Sequence, residues 1–67
     1  MRYEIDCYTS IDSNSPLKER LVCYSETTAK RLARKCKDDW GYVEVNWVDG
    51  EDAFGLVCSY ENGKLRK

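Results

Sequence analysis

The sequence predicts an α+β domain: an antiparallel sheet of four to five strands, in the order β-β-α-β-β-β, with one helix packed on one face. Three observations carry this. Residues 25 to 40, SETTAKRLARKCKDDW, set Ala29, Leu32, Ala33 and Cys36 at the i, i+3, i+4, i+7 spacing of one helical face. The runs on either side alternate polar and apolar residues with the period of strands. Turn-forming residues cluster between those runs, at 10 to 16, 49 to 52 and 62 to 63.

The first strand is expected over 2 to 9, with Tyr3, Ile5 and Cys7 facing one way and Arg2, Glu4, Asp6 and Tyr8 the other. Ser10 to Pro16 holds the only proline among serine, aspartate and asparagine, and reads as an exposed loop. A second strand over 18 to 24 turns Leu21 and Cys23 inward and Val22 and Tyr24 outward. It leads into the helix. Ser25 stands where an N-cap accepts a free backbone N–H, and Glu26 places negative charge at the positive end of the helix dipole. Trp40 continues the apolar line one turn further, and Gly41 is the expected stop.

The third strand, 42 to 48, puts Val43, Val45 and Trp47 on the core side. In the fourth, 53 to 60, the alternation assigns Phe54, Leu56, Cys58 and Tyr60 to one face and Gly55, Val57 and Ser59 to the other. Asn62-Gly63 is a strong hairpin signal, since both residues tolerate the positive φ of a type I′ turn. A short fifth strand over 64 to 67 would follow, its charges protecting an open edge. The small side chains of the helix stripe would let the helix lie close to the sheet.

At 67 residues the chain is expected to form a single domain, 1 to 67, with one thin core. Domains of this size bury only about 60% of the surface that their unfolded chain exposes. Eleven basic and twelve acidic residues nearly cancel, so net charge decides nothing about nucleic acid. Their distribution is informative, because eight of the eleven basic residues lie within 30 to 37 and 64 to 67. No apolar run approaches the roughly 20 residues of a membrane span, and MRYEID lacks a signal-peptide core. The expected location is the cytoplasm of a host cell, without membrane contact.

Cys7, Cys23, Cys36 and Cys58 form no C-x-x-C pair, and the chain has no histidine. Each falls at an apolar position of its own element, so they read as reduced core residues rather than zinc ligands. Without histidine the usual general base near neutral pH is missing. Asp38-Asp39 and Glu51-Asp52 are adjacent acids at element ends, where solvated charge is ordinary. The chain is therefore expected to be no enzyme and to carry no catalytic residue, metal or cofactor. A small enzyme or metal protein is the weakest alternative.

Two surfaces suggest binding. Lys30, Arg31, Arg34, Lys35 and Lys37 on the helix, joined by Lys64, form a candidate contact for phosphates or for an acidic protein groove. The competing reading is a solvated outer surface, since helices in small domains are commonly lysine-rich there. Arginines favour contact, because a guanidinium grips phosphate or carboxylate with two parallel hydrogen bonds. The second candidate interface is the open sheet face, where Tyr8, Tyr24 and Tyr42 stand among acids that would repel phosphate. A homodimer through that face competes with a monomer.

Ala29-Lys30-Arg31-Leu32-Ala33 on the helix, Gly41 with its following strand, and Tyr60 followed by Gly63-Lys64 in the last hairpin resemble the small phage anti-CRISPR proteins that act on the type I-F surveillance complex. Lys30, Arg31, Lys35 and Lys64 match basic positions of that family, whereas Glu61 stands where it has lysine and Lys37 where it has glutamine. The resemblance implies one helix on an antiparallel sheet. It also implies an inhibitor that sits on a host crRNA-guided complex, where target DNA would hybridise. The alternative is a nonspecific nucleic-acid-binding accessory protein, which would hold phosphates without reading bases.

Overall fold

The computed structural model describes residues 1–67. The elements are β1 (Arg2–Tyr8), β2 (Leu17–Cys23), α1 (Glu26–Cys36), β3 (Tyr42–Asp49), β4 (Ala53–Glu61) and β5 (Lys64–Leu65). The strands form one antiparallel sheet in the order β2-β1-β3-β4-β5. β2 and β3 flank β1, so the connection between them must cross over β1, and α1 is that crossover. This places the helix on β1 and β3, with one side over β2.

Alternation in β1 and β3 decides which residues the helix covers. Ile5, Cys7, Val43 and Val45 are fully buried, and they meet Ala29 and Ala33, the two helix positions with no exposure. Methyl side chains at the contact let backbone approach backbone. Leu21, Cys23, Leu32, Cys36, Trp40 and Tyr60 surround this core, half-buried. Ser25 is extended and its Oγ accepts the N–H of Thr28 at 3.4 Å, the expected N-cap. Asn62 and Gly63 have φ of 51° and 84°, the conformation that a type I′ turn requires.

Several expectations need correction. The helix ends at Cys36 rather than running to Trp40. Asp38 and Asp39 are poor residues for the negative end of a helix dipole, and the chain tightens there, with Asp39 N–H donating to the Cys36 carbonyl at 2.9 Å. Gly41 is therefore not the helix stop. It lies against the end of β1, where a Cβ would come within 1.9 Å of the Thr9 carbonyl oxygen. β1 ends at Tyr8, β2 begins at Leu17 and ends before Tyr24, and β5 is only two residues long.

The largest correction concerns β4. Val45 pairs with Cys58 but the next residue, Asn46, pairs with Leu56, so Val57 is an extra residue bulged out of register. Cys58 and Tyr60 keep the helix side, while Phe54 and Leu56 turn to the open face, 72% and 43% exposed. The bulge also brings Gly55 opposite Trp47, and the indole lies so close that a Cβ on Gly55 would meet Nε1 at 2.5 Å.

Candidate binding surfaces on the two sides of the sheet

The helical cations do not share one face. At about 100° per residue, Lys30, Arg34 and Lys37 fall on the flank of α1 turned toward β4 and β5, while Arg31 and Lys35 point away from the sheet. The side chains bear this out. Lys30 and Arg34 line a groove whose opposite parts are Val57, Cys58, Tyr60, Leu65 and Lys67. Arg31 and Lys35 are exposed.

Lys37 belongs to the fold rather than to the outer surface. It is the C-cap of α1 and its side chain is only 27% exposed. Its Nζ donates to the Gly63 carbonyl at 3.2 Å and pairs with Asp38 at 3.2 Å, pinning the β4–β5 turn to the helix end. Gly63 is itself tight against Asp38, whose Oδ1 would lie 2.9 Å from an added Cβ. Lys64, just beyond that turn, is exposed at the sheet edge.

Few of the remaining cations are neutralised from within. Lys30 pairs with Glu26 one turn earlier at 3.1 Å, an exposed contact that contributes little. Arg31 reaches only the Thr28 hydroxyl, at 3.5 Å. Arg34, Lys35 and Lys64 have no carboxylate within ion-pair distance. Cys58 on the groove floor has its thiol pushed up by burial, with Lys30 and Arg34 pulling the other way and Glu26 adding to the rise, so it is not primed as a nucleophile.

The open face of the sheet is organised differently, because its charges satisfy one another. Asp6, 4% exposed, lies directly opposite Arg20, whose Nε and Nη2 donate to the two carboxylate oxygens at 2.7 and 3.1 Å. Arg2 donates to Glu4 at 3.0 Å. Glu44 accepts the hydroxyls of Tyr42 at 3.2 Å and Tyr8 at 3.5 Å, and the two rings lie 5.8 Å apart. Burial and the neighbouring acids push both tyrosine hydroxyls upward, Asp6 and Glu44 acting on Tyr8 and Glu44 on Tyr42. Tyr24 does not join them. It follows the end of β2, at the opposite end of the sheet, and is 79% exposed.

Sequence reading singled out the helix cations but not the groove beside them. The angular sorting of Lys30 and Arg34 from Arg31 and Lys35 was available from the helix period alone. The floor was not. Val57 faces the helix side only because of the bulge, and an apolar Val57 fits either register equally well; Tyr60 and Leu65 keep the regular register but line a groove only because the crossover sets the helix over β1 and β3.

All four cysteines are free. No helix is long and apolar enough to cross a membrane. The chain matches no protein-family model, no curated protein and no solved structure.

Proposed function

We propose that the protein acts by binding rather than by catalysis, as an inhibitor that docks its cationic side on a host crRNA-guided complex and so keeps target DNA off it. This is the mode of action that the resemblance to the type I-F anti-CRISPR proteins implies. The observation that carries it is electrostatic. Arg31, Arg34 and Lys35 project into solvent without a carboxylate partner, whereas Arg2 and Arg20 on the opposite face are held by the protein's own acids. Unpaired guanidinium groups on a rigid helix suit phosphate or carboxylate partners, and long-range attraction would speed the encounter. Competition for a charged surface needs no general base.

The test is competition. A purified guide-RNA complex is mixed with labelled target duplex, and the protein is titrated in; the expected result is loss of duplex binding at a defined stoichiometry. Bare duplex with no complex present provides the discriminating control. A nonspecific phosphate binder would hold bare duplex and lose it steeply as salt rises, and that result would replace the inhibitor reading.

A further inference from the structure

The crossover that fixes α1 over β1 and β3 leaves the helix side of β4 and β5 only partly covered, with Cys58 buried and Val57 and Tyr60 half-buried. A helix is about 10 Å across, while five strands spaced by about 4.8 Å present about 20 Å, so one helix covers about half of this sheet. The uncovered half is the groove of about 290 Å3 beside α1. Its floor holds Val57, half-buried, and Leu65, 66% exposed, beside Cys58 and Tyr60. Its rim carries Lys30, Arg34 and Lys67, and no carboxylate lines it.

A groove lined by Val57, Tyr60 and Leu65, with Arg34 and Lys67 free of ion pairs on its two sides and Lys30 held only by the exposed Glu26, selects an occupant of opposite charge. The geometry points to an acidic amphipathic helix of a partner protein, lying beside α1 as the second helix that this sheet lacks. Its apolar stripe would rest on Val57, Tyr60 and Leu65, and its carboxylates would face Lys30 and Arg34. A single nucleic-acid strand fits less well. Base stacking needs aromatic faces, and Tyr60 is the one aromatic residue lining the groove. A second copy docked symmetrically through the same groove would set the cationic rims against each other, which like-charge repulsion opposes. This assignment rests on the cationic side being a docking surface, and it adds the chemistry of what docks there.

The test uses a synthetic helical peptide of about 15 residues, rich in glutamate, with leucines at i, i+3, i+4 and i+7. It is titrated into isotope-labelled protein beside a scrambled peptide of the same composition and a single-stranded DNA oligonucleotide. The patterned peptide is expected to shift the amides of Val57, Tyr60 and Leu65. Leu65→Glu, at an exposed position that should fold normally, is expected to weaken it at least about tenfold. Lys18→Gln, exposed on β2 at the far edge of the sheet, should leave its affinity within about twofold. Equal binding by the scrambled peptide, no binding by the patterned one, or occupation of the groove by the oligonucleotide in its place would overturn the assignment. If the peptide fails while charge reversal at Arg31 and Lys35 still abolishes inhibition, the groove assignment falls and the docking surface stands. Peptide binding combined with inhibition that ignores the charge reversal would keep the groove and remove the inhibitor reading.

Discussion

Lys37 Nζ lies 3.2 Å from the carbonyl oxygen of Gly63, and this contact ties the end of α1 to the turn between β4 and β5. The same lysine is the helix C-cap and pairs with Asp38. Its position closes one end of the groove and removes it from the set of free cations. Lys37→Met keeps the stem and deletes the donor, so it should cost about 1 kcal/mol and loosen the hairpin. Hydrogen exchange of the Arg66 amide, which donates to Ser59, should quicken while partner affinity changes less than about twofold. Lost affinity with unaltered exchange would make Lys37 a contact residue instead.

Two glycines should respond unequally to alanine. At Gly41 the new methyl would meet fixed backbone, 1.9 Å from the Thr9 carbonyl oxygen, and the expected loss is about 2 kcal/mol or more. At Gly55 it would meet the Trp47 side chain, which can tilt, and a loss of about 1 kcal/mol is expected. Urea unfolding midpoints of the two variants compare them directly. A Gly41→Ala variant as stable as wild type would mean that Thr9 and Gly41 do not pack as described.

The Asp6–Arg20 pair gives a third prediction. Asp6 is buried on the open face, and Arg20, 45% exposed, is its cover. Arg20→Met would leave a carboxylate with little solvent and no bidentate partner. Because the arginine is half in water, the expected cost is about 1–2 kcal/mol, less than for a fully buried pair. In the double variant Arg20→Met with Asp6→Asn the loss should be smaller than in Arg20→Met alone, and a double-mutant cycle measures the coupling.

How much of this was legible beforehand follows from what each feature depends on. The helix start, the strands around Ile5 and Val45 and the Asn62-Gly63 turn rest on local chemistry, and the sequence displays them. The helix end was misplaced because Gly41 resembles a C-cap, although its real constraint is Thr9, distant in sequence. Alternation sets Phe54 and Leu56 on the face of Cys58 and Tyr60 because an unbroken pattern conceals the bulge at Val57. Arg20 has no local signal of its partner, which only the pairing of β2 with β1 supplies, and the groove exists only once the crossover has placed the helix.

Alkaline pH provides a fourth test. Burial, reinforced by the neighbouring Cys36 thiol and then by Glu19 and Asp6, raises the Cys7 thiol from its ordinary 9.0 to about 12. Tyr8, Tyr42 and Cys58 shift in the same direction. These groups stay protonated in the fold at pH values where the unfolded chain has lost those protons. Their contribution to stability is complete below 9.0 and is lost as pH rises toward about 12. Unfolding midpoints should fall across that window, and less steeply in Cys7→Ala. A flat profile for the wild-type protein would contradict the buried placement of Cys7.

As an inhibitor, the protein would bind chiefly through the free cations of α1. Affinity of the purified guide-RNA complex for wild-type protein and for the folded triple variant Arg31→Glu, Arg34→Glu, Lys35→Glu tests this most directly, with circular dichroism confirming the fold. These side chains are exposed and unpaired with any acid, so stability should change by about 0.5 kcal/mol or less per site. Affinity should fall at least about a hundredfold, near 3 kcal/mol. Unchanged binding by the folded triple variant would contradict the account and move the interface to the tyrosine side of the sheet.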